Sequence, residues 1–246
     1  MKVVLLNGSR REAGCTYTAL SVVADVLKEN GVDAEIIHAV PTDDVVKAVA
    51  EKVKEADGLV VGSPVYWASP SGEIISFMDK LAGAAGSALI HKPAAAVASA
   101  RRAGTTATLD VLNKYFAYHQ MPIVSSNYWN VVHGNTPDEV KQDAEGMQIM
   151  RVLGRNMAWL LKCTEAGKTA GITAPETEAK VMTNFIRQIA RKKDWLALRR
   201  SVFYRITDMH LVFSYPLTGL FTMPYHKHIL FRFVISCQRR MYHGIF

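Results

Sequence analysis

Cysteine is scarce in this sequence: Cys15, Cys163 and Cys237 stand far apart. They form neither a disulfide framework nor a Cys-x-x-Cys site. Long hydrophobic runs are also missing. No stretch of about eighteen uninterrupted apolar residues occurs, so no spanning helix is expected. The apolar run after Met1 is too short for a signal segment and leads into a Gly-containing turn, which predicts a first strand in a cytoplasmic protein. The nucleotide motifs fail too. Lys162 stands where a Walker loop ending in Gly167-Lys168-Thr169 needs its first glycine, and no Gly-x-Gly-x-x-Gly is present. Acidic excess is absent as well. The net charge of +7 arises near the C-terminus, where residues 191–246 hold ten Lys/Arg against two Asp. The remaining body is near neutral. A basic body would point to nucleic acid, and this one does not.

What is present is an alternating pattern. Short apolar runs at 2–7, 33–40, 57–63, 92–100 and 122–126 read as strands. Helical spacing covers 16–30, 43–55, 71–84, 105–119 and 138–162, with caps such as Thr42 or Asp43 and a stop at Gly31. Five alternations predict an α/β fold, a parallel sheet with helices on both faces. A further helix is expected from Pro175 to about residue 193. The expected domains are 1–190 and a basic, aromatic C-terminal extension over 191–246.

In such open sheets, ligands sit at the carboxyl ends of strands near a switch point. Three loops fall there. The first runs Leu6-Asn7-Gly8-Ser9-Arg10-Arg11-Glu12-Ala13-Gly14-Cys15-Thr16. Its small and hydroxylated residues, placed before a helix N-terminus, suit a phosphate. Ser9, Thr16 and Thr18 are candidate donors and Arg11 a candidate cation. An ordinary strand-to-helix turn has the same composition. A thiol at a helix start, Cys15, is either a reactive group of lowered pKa or a small space-filling residue; the second reading is preferred.

The second loop, Gly62-Ser63-Pro64-Val65-Tyr66-Trp67-Ala68-Ser69-Pro70-Ser71-Gly72, is the strongest signal. Two adjacent aromatics at a strand's carboxyl end suit a flat ligand. In the third loop, Ala100, Arg101, Arg102, Gly104 and Thr105 offer backbone donors and a cation for an electron-rich ring edge. Which arginine points inward is open. Asn127-Tyr128-Trp129-Asn130 either close the pocket or pack elsewhere, and His119 and His133 are possible proton donors that read more readily as structural.

The residues Ser9, Arg11, Gly14 and Thr16 match the Ser-x-Arg-x-x-Gly-Asn-Thr loop of the NADPH-dependent FMN reductase and iron–sulfur flavoprotein group, with Cys15 in place of Asn. The string Gly-Ser-Pro-Val-Tyr-Trp-x-Ser-Pro-Ser-Gly, followed by Phe77-Met78-Asp79-Lys80, resembles the flavin loop and helix of that group. The resemblance covers about residues 1–187. It implies a flavodoxin-like fold with strand order 2-1-3-4-5. It also implies FMN as cofactor, held by Ser9, Arg11, Gly14, Cys15, Thr16 and Thr18 at the phosphate. Pro64, Val65, Tyr66 and Trp67 would line the ring, with further contacts from residues 101–105. The compact cysteine cluster of the iron–sulfur members is missing, so flavin alone is expected. The implied activity is an FMN-dependent transfer of electrons from NAD(P)H to a small acceptor such as a quinone or free flavin. The alternatives are a non-enzymatic electron carrier and a redox-sensing or interaction protein. A homodimer or homotetramer is implied, and no nucleic-acid partner. The extension over 191–246 has three readings: a peripheral membrane or partner-binding arm, an oligomerisation segment, or a non-native continuation of the reading frame. Its abrupt start and poor periodicity favour the last.

Overall fold

The computed structural model describes residues 1–179 and 181–183. Residues 191–246, and with them every expectation for the extension, lie outside the described residues. The first of two units along the chain is Met1–Thr177. In chain order it contains β1 (Lys2–Asn7), α1 (Cys15–Glu29), β2 (Asp33–His38), α2 (Asp43–Glu55), β3 (Gly58–Tyr66) and β4 (Ser69–Pro70). There follow α3 (Gly72–Ala85), β5 (Ala94–Ala100), α4 (Thr105–Tyr118), β6 (Val131–His133), α5 (Pro137–Gln142) and α6 (Ala144–Thr169).

The sheet runs β2-β1-β3-β5-β6, and every neighbouring pair along it is parallel. This is the flavodoxin-like order expected, with the two-residue β4 added as a hairpin on the end of β3. The strands are apolar on both sides because both faces are covered. One face packs under α2, α3 and α4 around Phe77, Leu81, Leu112 and Phe116. The other packs under α1 and α6 around Leu20, Leu27, Met150 and Leu153. Gly154 on α6 lets that helix close on α1, since a Cβ there would lie 2.9 Å from the Val26 side chain. All seven residues of β5 are buried, and six of them are Ala or Ser. Small side chains let helices approach both of its faces. Among the described residues no helix is long and apolar enough to cross a membrane.

Three local expectations are corrected. The edge strand placed at 122–126 makes only one bridge, Ala94 to Ile123, before the chain leaves the sheet. Pro122 has no N–H to offer the ladder. The chain loops out and returns as β6. Asn130 closes the gap: its side-chain Nδ2 donates to the Ala96 carbonyl (3.1 Å) and the Val124 carbonyl (3.4 Å), while its backbone carbonyl accepts from the Ala98 N–H. Tyr128 and Trp129, about half exposed and edge-to-face, occupy this excursion. The helix expected over 138–162 is two helices. Asp143 interrupts it, because its carboxylate caps α6 by accepting from the Gly146 N–H at 2.9 Å. The helix expected from Pro175 does not form over 175–179 or 181–183; the rest of that span lies outside the described residues.

Candidate functional site

The first loop is built around one buried side chain. Asn7 ends β1, and its Oδ1 accepts from the Ser9 N–H (3.1 Å) while its Nδ2 donates to the Glu12 carbonyl (2.9 Å). The Ser9 hydroxyl accepts from the Arg11 N–H at 3.1 Å, and the Ser9 carbonyl meets His38 Nε2 at 2.7 Å. Gly8 is required by close approach. A Cβ there would lie 2.5 Å from Ile74 Cβ, and the Gly8 carbonyl accepts from the Ser71 hydroxyl at 2.6 Å. The loop then delivers Gly14 as N-cap of α1, with no side-chain cap. The first N–H groups of that helix have no intrahelical acceptor and carry the positive end of its dipole. Thr18 turns back to donate to the Gly14 carbonyl at 3.2 Å.

The second loop is a hairpin. Ser63 Oγ accepts from the Ser71 N–H (3.0 Å) and donates to the Pro64 carbonyl (2.8 Å), which fixes its base. At its tip, Trp67 and Ala68 have φ of 53° and 57°. Positive φ at both central residues belongs to the tight hairpin turns that favour Asn-Gly. Non-glycine residues pay roughly 1 kcal/mol or more each for it. The third loop leans on this tip. Gly104 has φ 92°, and a Cβ there would lie 2.7 Å from Ala68 Cα and 2.8 Å from Val65 Cγ1. The Arg102 carbonyl is held by His133 Nε2 at 3.2 Å. The His133 N–H in turn donates to Asp143 Oδ2 at 2.7 Å.

These loops share a cavity of about 220 Å³ at the carboxyl end of the sheet. Ser9, Arg11, Cys15 and Thr16 line it from the first loop, and Pro64, Val65 and Tyr66 from the second. Ala100 and Arg101 line it from the third. Six other sequence-derived candidates stand around it rather than in it. Gly14 caps α1, Thr18 secures that cap, and Gly104 and Thr105 begin α4. Arg102 is exposed and contributes its carbonyl to His133. Trp67 is fully exposed and lines a neighbouring cavity with Arg10. Of the two arginines, Arg101 is therefore the one at the cavity.

Ser99, Gly134 and Asn135 also line the cavity and were not among the candidates. Ser99 was legible as the last polar residue of an otherwise Ala-rich strand. Gly134 and Asn135 were hidden by the misplaced edge strand: they directly follow β6 and so belong to a fourth loop at the same sheet end. Cys15 lies beside them, its thiol 3.8 Å from the Gly134 carbonyl. Burial pushes that thiol above its ordinary pKa, which disfavours the thiolate and supports the space-filling reading. His119 bonds the Tyr115 carbonyl at 2.8 Å on α4 and does not line the cavity. Among the described residues no group of three His, Cys, Asp or Glu is placed to hold a metal.

The chemistry of the cavity fits FMN. Uncapped helix donors, the Ser9 and Thr16 hydroxyls and the Arg11 guanidinium suit a phosphate. The Pro64–Val65–Tyr66 wall suits a flat ring, and Arg101 suits an electron-rich ring edge.

Known proteins agree with that fit. The protein family described as NADPH-dependent FMN reductase matches residues 1–136. An iron–sulfur flavoprotein of Methanocaldococcus jannaschii is 29% identical over 189 residues, covering 66% of this chain and 98% of its own. The FMN reductase (NADPH) of Escherichia coli is 32% identical over 94 residues, covering 33% of this chain and 48% of its own. In structure, a WrbA-like flavodoxin of Agrobacterium tumefaciens superposes with a TM-score of 0.52 at 17% identity, over 66% of this chain and 97% of that one. That last likeness speaks for the fold. The family match begins at β1 and ends one residue past Asn135, so it takes in every loop of the cavity, and on that match the chain belongs to the NADPH-dependent FMN reductase family, with FMN as cofactor and NAD(P)H as electron donor.

Proposed function

We propose that this protein passes electrons from NAD(P)H through FMN to a small acceptor, a quinone or a free flavin. The observation that carries the reading is the convergence of three sequence-distant loops on one cavity beside the uncapped start of α1.

In this reading Ser9, Arg11 and Thr16 hold the phosphate, together with the backbone donors from Gly14 and Cys15 onward, and Thr18 keeps the cap in shape. Pro64, Val65 and Tyr66 form the wall against the ring, and Trp67 extends the hairpin beyond it. Ala100 and Arg101 face the ring edge, with Arg102, Gly104 and Thr105 setting the course of that loop. Bound FMN supplies the hydride-accepting ring. The chain supplies position, a cation near the edge that gains negative charge, and shelter from water. Hydride uptake needs no acid or base from a side chain, so the structural roles of His119 and His133 are consistent with it. The near-neutral charge of residues 1–190 favours an enzyme over an electron carrier, which usually presents a strongly acidic surface. A homodimer or homotetramer is part of this proposal. It is supported by the exposed groove between α3 and α4, which Ala82, Val111 and Tyr115 line.

The test is an absorption spectrum of protein incubated with FMN, followed by anaerobic NAD(P)H titration and then addition of a benzoquinone. The expected sequence is a bound-flavin spectrum, bleaching by the nucleotide and recovery with the quinone. Flavin that binds but is not bleached would return the reading to an electron carrier. Protein that stays colourless would end it.

A further inference from the structure

The three loops of the FMN cavity are not anchored alike. The first is tied down along its length. Asn7 bonds the Ser9 N–H and the Glu12 carbonyl, Ser71 holds the Gly8 carbonyl, and His38 meets the Ser9 carbonyl. The second is clasped at its base by Ser63. The third has much less. Arg101, Arg102 and Ala103 are all exposed. Among the described residues they make a single hydrogen bond, from His133 Nε2 to the Arg102 carbonyl at 3.2 Å.

His133 is a fixed post for that bond. It ends β6 directly opposite Ala100, the last residue of β5 before Arg101. Its backbone is held on both sides. Its N–H donates to Asp143 Oδ2 at 2.7 Å, and the following Gly134 N–H donates to the Ala100 carbonyl at 3.0 Å. Asp143 is itself fixed, because its other oxygen caps α6 through the Gly146 N–H. The ring therefore reaches from an anchored strand end to a loop with no other hydrogen-bonded tether among the described residues. A carbonyl only accepts, so Nε2 carries the proton in this contact. Nδ1 takes no comparable part: it lies 3.9 Å from Asp143 Oδ2, beyond hydrogen-bond reach. The side chain keeps 47% of its surface open, so core packing does not account for its placement.

The tethered loop carries Arg101, the cation at the cavity. A flavin ring gains negative charge at its pyrimidine edge on reduction, so a guanidinium held there favours the reduced form over the oxidised one. On a free loop the same guanidinium spreads over many positions, and its effect falls with distance and with screening by salt. We infer that His133 is a positioning residue for the redox reaction: through the Arg102 carbonyl it holds Arg101 at the ring edge and so raises the affinity of the site for reduced FMN relative to oxidised FMN. The inference rests on the proposed function and adds to it a residue of β6 that does not itself line the cavity.

The experiment measures the midpoint potential of the FMN-loaded full chain by anaerobic equilibration with a reference dye at one pH. Fluorescence titration gives the Kd for oxidised FMN in the same proteins. The variants are His133→Leu, His133→Gln, His133→Asn, Arg101→Gln, and His133→Leu combined with Arg101→Gln. His133→Leu is expected to bind oxidised FMN within about twofold of the wild type and reduced FMN about fivefold more weakly than that, which lowers the two-electron midpoint by about 20 mV. His133→Gln, whose amide nitrogen reaches the Nε2 position, is expected to recover most of the shift. His133→Asn, whose shorter amide stops near Nδ1, is expected not to. In the Arg101→Gln background the His133→Leu shift is expected to vanish, since the tether acts through that cation. The inference is overturned if His133→Leu leaves the potential unchanged, if Asn restores it as well as Gln does, or if the double variant is additive. It is also overturned if His133→Leu weakens oxidised and reduced FMN equally, because the contact is then only a brace. Protein that binds FMN but is not reduced by NAD(P)H sinks the proposed function and leaves this test standing, since the dye titration needs no nucleotide. Wild-type protein that binds no FMN overturns both.

Discussion

Thr16 Oγ1 lies 2.8 Å from Ser99 Oγ, and both residues are almost completely buried. Thr16 is the second residue of α1 and Ser99 the last but one of β5, 83 positions apart in sequence. Their contact ties the start of α1, just after the first loop, to the strand that leads into Arg101.

Thr16→Val is expected to cost about 1–3 kcal/mol, because it leaves the Ser99 hydroxyl buried without a partner. Removing both hydroxyls, with Ser99→Ala added, is expected to recover part of that loss. Chemical denaturation of the FMN-free proteins measures the pair. FMN affinity should fall in both variants, since either change loosens the floor of the cavity. A strictly additive double variant would mean that the two hydroxyls do not interact.

Arg11→Gln is expected to weaken FMN binding by about 2 kcal/mol, the order of a charged hydrogen bond to phosphate. Riboflavin, which has no phosphate, should bind both proteins alike. Flavin fluorescence titration reads both ligands. An equal loss for riboflavin would place Arg11 away from the phosphate.

Gly104→Ala is expected to destabilise the protein by more than about 2 kcal/mol and to reduce FMN binding with it. The new Cβ would combine a strained φ with a clash against the backbone of Ala68. The opposite change, Ala68→Gly, relieves one of the two strained turn residues. It is expected to be neutral or stabilising by up to about 1 kcal/mol. Thermal unfolding of the two variants should move in opposite directions or show Ala68→Gly flat.

Tyr115 donates to Asp79 between α4 and α3, and its pKa is pushed up to about 12, first by burial and then by that carboxylate. In the unfolded chain the phenol ionises near its ordinary value of 10. The folded state therefore keeps its proton longer. The stability from this group is full below about pH 10 and is lost as pH rises toward 12. Tyr115→Phe should lower stability at neutral pH by on the order of 1 kcal/mol, given the partial exposure. It should also flatten the alkaline decline. Unfolding curves from pH 8 upward, with tyrosinate absorbance followed in parallel, test both parts. An unchanged alkaline slope in the variant would refute the assignment.

Local pattern was enough to locate most of the architecture. The apolar runs that became β1, β2, β3 and β5 are short and bounded by turn residues, and α2 begins and ends where its periodicity does. The first two site loops were legible for the same reason: a strand end, small residues and a helix start lie within about a dozen positions of each other. The edge strand was not legible. Residues 122–126 and 131–133 both look like strand, and the choice between them depends on which unpaired groups β5 exposes. Asn130 decides it by satisfying the Ala96 carbonyl across the gap.

What the sequence alone determined about this protein is the alternation of strands and helices and the presence of a small-residue turn before α1 and an aromatic loop after β3, because these depend on contacts between near neighbours. Tertiary structure alone decided that Ser99, Gly134 and Asn135 complete the cavity, that Arg101 rather than Arg102 reaches it, and that Trp67 faces a second cavity with Arg10. Each of those outcomes is set by pairing and packing between segments tens of residues apart, and no local propensity encodes the direction in which a loop side chain leaves the end of a sheet.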